Sequence, residues 1–298
     1  MELDGPIISK FYITFLKSLE SSGLFFYKMD TKLMYFLYIS CILEFINFIF
    51  RRMMKKIFLI TLLFSASFIQ SQEVPEPIRA EYLMCNLNDG KSFDDFMKWS
   101  KSWNKVMDAT DESGYDAAVM VPRYRSPLTD FDLFWVGHTD TTTNMGKALD
   151  NWFGDDFKRV RDSIPVTCVQ AFNAVQWVLE SNFTPEDLSN AYPVSYRYCN
   201  LKEGKTLEDA YINLSNQMKI SHKAGIKNSA RLIRPSNGAP AQLADYDFVL
   251  SYGSPEWEEW GKAIDHYWSD VNNTDENKAV KETYSCENSR MYSGTLIR

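Results

Sequence analysis

Tyr82–Phe96 reads YLMCNLNDGKSFDDF, and Tyr196–Ala210 reads YRYCNLKEGKTLEDA. One chain writes nearly the same phrase twice, 114 residues apart, with a cysteine, an Asn-Leu pair and a Gly-Lys pair at matched places. Self-similarity of this kind marks a repeated supersecondary unit and is weighed before local propensity. It continues outward: TDFDLFWVG from Thr129 answers ADYDFVLSY from Ala244, and GKALDNWF from Gly146 answers GKAIDHYW from Gly261. The last pair is offset by 115, so insertions and deletions nearly cancel in the loops between matched elements. The stretch Glu180–Pro193, ESNFTPEDLSNAYP, reads as the linker region between two copies.

Within each copy the periodicities come in a fixed order. AEYLMCNL is a short β-prone run punctuated by Gly90. Ser92 with Asp95, and Thr206 with Asp209, have the form of an N-terminal capping box with Asp in the Glu place. Behind the first, Phe96, Trp99, Trp103, Val106 and Met107 recur at helical spacing and make an apolar stripe. Gly114 and Gly225 stand where such helices end. DAAVMVPRYR and FDLFWVGH are strand-like runs around a turn, a second helix is expected from about Thr142 to Asp162, and VTCVQAFNAVQWVL closes the copy. The order β-α-β-β-α-β is the ferredoxin-like plan, an α+β unit with helices on one sheet face. Two tandem copies, 78–180 and 194–298 with a linker at 181–193, can cover their open faces by packing sheet to sheet. At about 25 cal/mol per Å2, a few hundred Å2 of such surface contributes several kcal/mol.

This order, written twice and closing a sheet-to-sheet interface, resembles the dimeric α/β-barrel superfamily in the arrangement where one chain supplies both halves. Over roughly residues 78–298 it is similar to NIPSNAP-like, antibiotic-biosynthesis-monooxygenase-like and EthD-like proteins and to the haem-binding chlorite dismutase group. The likeness rests on element order and repetition, with no family catalytic motif matched. It implies a pseudo-dimeric α/β barrel with an aromatic interior. It suggests a small-molecule pocket between the two sheets, for binding or for cofactor-free oxidation of an activated apolar substrate. A non-catalytic interaction module is the alternative.

Four cysteines fall in the copies, two in each, and Cys41 lies upstream. In a ferredoxin-like sheet the first and last strands are antiparallel neighbours. Cys85 lies late in a first strand and Cys168 early in a last one, and Cys199 and Cys286 stand likewise. Disulfides Cys85–Cys168 and Cys199–Cys286 are expected, with four buried free thiols as the alternative. No metal site is expected, because CxxC spacing is missing and three histidines are too few for a ligand set.

Residues 1–53 contain LMYFLYISCILEFINFIF, borderline for a membrane span, and read either as leader translated from an early start or as a membrane segment. Residues 54–71 read as a secretory signal peptide: Arg51, Arg52, Lys55 and Lys56 precede an apolar run from Ile57 to Phe64 and a polar end near Ser71. The expectation is a secreted or periplasmic protein with no membrane span in its mature form. Without residues 1–71 the chain keeps 34 acidic and 24 basic residues, a net charge of −10. Long cationic tracts are missing from it, so nucleic acid is not an expected partner. All eight tryptophans lie beyond residue 71, which suits a filled core or a pocket for a small apolar or aromatic molecule.

Candidate site residues follow from this frame. His138 ends the strand FDLFWVG, where barrel mouths place functional groups, and is the candidate general base; a plain loop histidine is the alternative. Arg123 and Arg234, with Asp132 of DFD and Asp247 of DYD, recur in both copies. Across a hairpin, Arg123–Asp132 and Arg234–Asp247 pairs either fix register or, turned into the barrel, recognise a carboxylate or enolate. Trp135 alternates with Phe131 and Leu133 on one strand face and is read as a sheet-interface or pocket wall. His222 lies near a helix end, where a cation suits the dipole. No cofactor is expected; haem on His266, which the chlorite dismutase likeness brings, is the alternative. Walker, nucleophile-elbow, HExxH and GxGxxG motifs are missing from the sequence.

Overall fold

A computed structural model describes residues 74–298 apart from 111–112 and 125–129. The leader and signal-peptide readings at 1–53 and 54–71 lie outside the described residues. The repeated phrase becomes a repeated corner. After β1 (Ile78–Leu87) and β5 (Tyr192–Leu201), Gly90 and Gly204 take φ of 71° and 73°, a left-handed turn that glycine enters without a Cβ clash. Each turn delivers a capped helix, α1 (Phe93–Thr110) or α4 (Leu207–Lys223). Ser92 N–H donates to Asp95 Oδ2 at 3.0 Å and Asp95 N–H to Ser92 Oγ at 3.3 Å. Thr206 and Asp209 exchange the same two bonds at 2.9 and 3.1 Å.

The first half continues with β2 (Asp116–Tyr124), β3 (Leu133–Thr139), α2 (Thr142–Phe153), α3 (Lys158–Asp162) and β4 (Val166–Val178). The second half answers with β6 (Ser229–Pro235), β7 (Phe248–Gly253), α5 (Trp257–His266), α6 (Asp275–Thr283) and β8 (Tyr284–Leu296). The single helix expected over Thr142–Asp162 is broken, because Gly154 leaves the helical region at ψ 167° before a short 3-10 turn, Asp155–Phe157. Among the described residues no helix is long and apolar enough to cross a membrane.

All strand pairs are antiparallel, and the order β1-β3-β2-β8-β5-β7-β6-β4 closes on itself. The sheets, expected to pack sheet to sheet as a pseudo-dimeric α/β barrel, join edge to edge: β2 bonds β8 and β4 bonds β6. The protein is thus an α+β structure with one large antiparallel sheet, and closure removes the open edges that invite pairing with another chain. Cys85 stands opposite Cys168 in the β1–β4 register and Cys199 opposite Cys286 in β5–β8, and each pair is a disulfide. Sequence separations of 83 and 87 make each bridge worth about 4–5 kcal/mol in the chain-entropy account.

Three apolar layers result. One lies under the helices of the first half, one under those of the second, and one fills the barrel. Inside, Tyr82 stacks on Phe172 at 5.0 Å, while Phe134 meets Tyr292 edge-on at 4.9 Å and Tyr196 at 5.5 Å. The aromatic pocket expected between the sheets is therefore a packed core along most of its length. Inward-facing rings from both halves interdigitate there and leave the open volume elsewhere.

Candidate functional site

A cavity lies outside the sheet, in the second half. In the first half the space between sheet and helix is filled: Trp103 meets Trp135 edge-on at 4.9 Å, with Trp99 and Phe96 beside them. Their polar atoms are satisfied in place. Trp99 Nε1 donates to the Val160 carbonyl at 2.9 Å, and Trp135 Nε1 to Tyr115 Oη at 2.8 Å. Tyr115 in turn donates to Glu81, whose carboxyl burial raises above its usual range while that bond opposes the rise. Tyr115 can lie flat on the sheet because Gly137 has no Cβ; one built there would stand 1.6 Å from the phenol oxygen.

At matched places the second half has Ala210 for Phe96, Asn213 for Trp99, Gln217 for Trp103 and Leu250 for Trp135. Of these four, Gln217 and Leu250 line a cavity of about 690 Å3 between β5, β7 and β8 and helices α4, α5 and α6. Leu214, Met218, Leu250 and Met291 make much of its apolar wall. Gln217 is held by its amide, which donates to the buried Asn277 Oδ1 at 2.6 Å. Tyr252 and Tyr284 add phenols, pushed well above the usual range by burial and partly restrained by the Arg197 charge. Beyond α5 the chain makes one π turn, Tyr267–Val271, which brings Tyr267 and Trp268 to the cavity; such irregular turns are often found at functional sites. Trp268 and, from β2, Tyr124 also line it while 65% and 64% exposed, which sets two aromatic rings at its mouth. The exposed Arg197 and Lys281 are the cations of the lining. Among the described residues, no carboxylate or histidine lines this cavity. The wall can therefore bind and orient through phenol, amide and guanidinium donors.

The residues singled out from sequence are scattered. Trp135 belongs to the filled first half, away from both the barrel interior and the cavity. Asp132 Oδ2 accepts from Leu87 N–H at 3.0 Å and Asp247 Oδ2 from Leu201 N–H at 2.7 Å, so the repeated carboxylates clip the end of the first strand in each half. Arg123 and Arg234 are exposed, and neither is bonded to its expected aspartate among the described residues. The reason is geometric, since each carboxylate turns towards β1 or β5 instead of across its hairpin. His222 Nε2 bonds Asn228 Oδ1 at 2.9 Å. His138 stands at the barrel mouth, where burial, with the Arg231 charge added, pushes its imidazole down to about 3. It is neutral at pH 7, far below the pKa near 7 that suits a general base. Arg197 and Lys281 were missed; the pairing of large aromatics with small residues across the two copies was the signal that marked their cavity.

No family model matches the chain, and comparison with curated proteins found no relative. Solved structures do resemble it. A monooxygenase candidate from Fusobacterium nucleatum subsp. nucleatum is 8% identical at a TM-score of 0.48, covering 76% of this chain and 94% of its own. A haem-binding protein from Thermus thermophilus is 9% identical at 0.42, covering 74% and 92%. A chlorite dismutase from Candidatus Nitrospira defluvii, in variant form, is 10% identical at 0.42, covering 74% and 92%. At these identities and TM-scores the likenesses carry neither a family nor an activity across to this chain.

One expectation is corrected by them. Haem-binding proteins stand among the similar structures, so the reading that no cofactor is involved is withdrawn. Whether haem suits this chain is then a question for its residues. Arg197 and Lys281 suit acidic substituents, but among the described residues no histidine lines the cavity to serve as an axial ligand. His266, on α5, has Nδ1 3.0 Å from Asp270 and a buried Nε2 without a partner, yet its ring is not part of the cavity wall. The cavity as built does not fit a histidine-ligated haem.

Proposed function

We propose that the chain is an extracytoplasmic small-molecule-binding protein made of two tandem copies of one βαββαβ unit, with its ligand in the cavity under α4, α5 and α6. One observation carries the reading: at matched positions the first half packs tryptophans and the second half keeps an open cavity with exposed Trp268 and Tyr124 at its mouth. A cavity with an apolar wall and a few placed polar groups is the general form of a ligand site. The ligand class is an apolar or aromatic body with one acidic group. The rings take the body, and the Arg197 guanidinium takes the acid. Two disulfides support the compartment, since such bonds persist where the surroundings are oxidising.

Native mass spectrometry of protein purified from its own host tests this directly. The expected spectrum carries a retained small molecule that is lost in Gln217→Trp, which refills the space Trp103 fills in the first half. A protein that arrives empty and binds neither a naphthoate nor hemin saturably would sink the proposal. Hemin binding with the Soret signature of histidine ligation would overturn the assignment of the wall, because His266 would then have to turn into it.

A further inference from the structure

A second arrangement lies inside the barrel, at the end where β1 begins. Along β6, Ala230 and Leu232 pack under the second-half helices while Ile233 joins the interior core. Arg231, two residues before Ile233, therefore points inward. Its charge acts on Tyr82, Tyr192 and Tyr196, against the rise their burial causes, and on His138. Arg231 forms no hydrogen bond or ion pair with any described residue.

On β4, Val178 is Arg231's ladder partner, and Gln176, two residues along and opposite Ile233, is 0% exposed. Gln176 Oε1 accepts from the Tyr82 hydroxyl at 3.1 Å, and its Nε2 has no partner. An unmet buried donor of this kind costs about 1–3 kcal/mol unless something accepts from it. Across the β1–β4 ladder Gln176 faces Ile78, and Ile78 and His138 line an opening of about 520 Å3 at the barrel mouth. His138 Nδ1 is likewise buried without a partner.

These groups are not remnants of the pseudo-symmetric scaffold. By strand register, Gln176 faces Ile78 as Gly294 faces Tyr192, Arg231 faces Ser251 as Ala118 faces Val136, and His138 faces Ala80 as Gly253 faces Val194. Neighbouring strands alternate in direction, so β1 and β5 begin at the same end: the alanine and glycines stand on one side of that end, and the polar groups stand at the matched places on the other side. A guanidinium, a carboxamide N–H2 and a phenol converge there with no acceptor for two of them.

We propose that this end of the barrel binds a small monocarboxylate, which accepts from Arg231 and from Gln176 Nε2. Arginine forks match carboxylates, and the carboxamide supplies a second donor in a water-poor setting. Asp116 and Asp140 at the rim of the opening repel a second negative charge, so polyanions are disfavoured. This site is separate from the cavity under α4–α6, and either can exist without the other.

The test is titration of the isotopically labelled, disulfide-intact protein with benzoate, followed by the side-chain amide resonances of Gln176. The expected result is a saturable shift at Gln176 whose dissociation constant weakens about 30-fold or more in Arg231→Met, as truncation of one partner of a buried charge pair does. Gln176→Glu supplies an internal carboxylate to Arg231 and is expected to abolish binding while the protein stays folded, which covers the case where Arg231→Met fails to fold. No saturable shift in the wild type, or wild-type affinity in either folded variant, would overturn the proposal.

Discussion

The two halves of the barrel share a corner, a cap, a strand order and a disulfide, and differ in what lies under their helices. The first half builds a dry layer from Phe96, Trp99, Trp103 and Trp135; the second has Ala210, Asn213, Gln217 and Leu250 at the matched places, and Gln217 and Leu250 line its cavity. The contrast shows which parts of each half can differ while the sheet stays closed. Strand pairing, closure and the cross-strand bridges are held by backbone and sulfur, so one helix layer can lose its tryptophans while the barrel stays closed.

The largest effect should come from breaking the filled side. Trp103→Ala is expected to cost about 3–5 kcal/mol in urea denaturation, against about 1 kcal/mol or less for Gln217→Ala at the matched place. Equal costs would mean that the two layers are packed alike, and the comparison would fail.

A pH experiment comes next, because His138 has only Gly253 opposite it in the other half. Its folded pKa of about 3 lies below the ordinary 6.5, so the unfolded chain takes up the proton first. Stability is then complete above about pH 6.5 and falls as the pH drops towards 3, by about 2–4 kcal/mol. His138→Asn should flatten that slope in denaturant titrations run across this range. A slope unchanged by the substitution would place the titrating group elsewhere.

Refilling the hollow side sharpens the comparison further. Gln217→Trp should weaken naphthoate binding roughly tenfold or more with the protein still folded, equivalent to about 1.4 kcal/mol. The smallest effects test what the halves share. Ser92→Ala and Thr206→Ala should each cost about 1 kcal/mol, and to a similar extent, since both caps make the same two bonds.

Legibility in the sequence followed the range of each interaction. Ser92, Asp95, Thr206 and Asp209 were readable as caps because a cap is decided within four residues. Cys85 and Cys168 were paired correctly once the strand order was assumed, since the bridge needs only neighbouring strands. Asp132 and Asp247 were readable as repeated but not as clips on Leu87 and Leu201, because that role depends on how β3 and β7 lie against β1 and β5. Arg234 was chosen from SARLIRP where Arg231 is the residue that enters the barrel. Strand residues change face at every step, so an error of odd length exchanges inside for outside.

What the chain determined by itself was its repetition, the order of its elements, the ends of its helices and the partners of its cysteines. These rest on periodicity and on side chains bonding their own near neighbours. Tertiary structure decided that the barrel interior is filled, that the open volume sits under the second set of helices, and that Arg231 and Gln176 share one end. Those outcomes depend on summed volumes and facing directions among strands more than a hundred residues apart, and only closure of the sheet sets them.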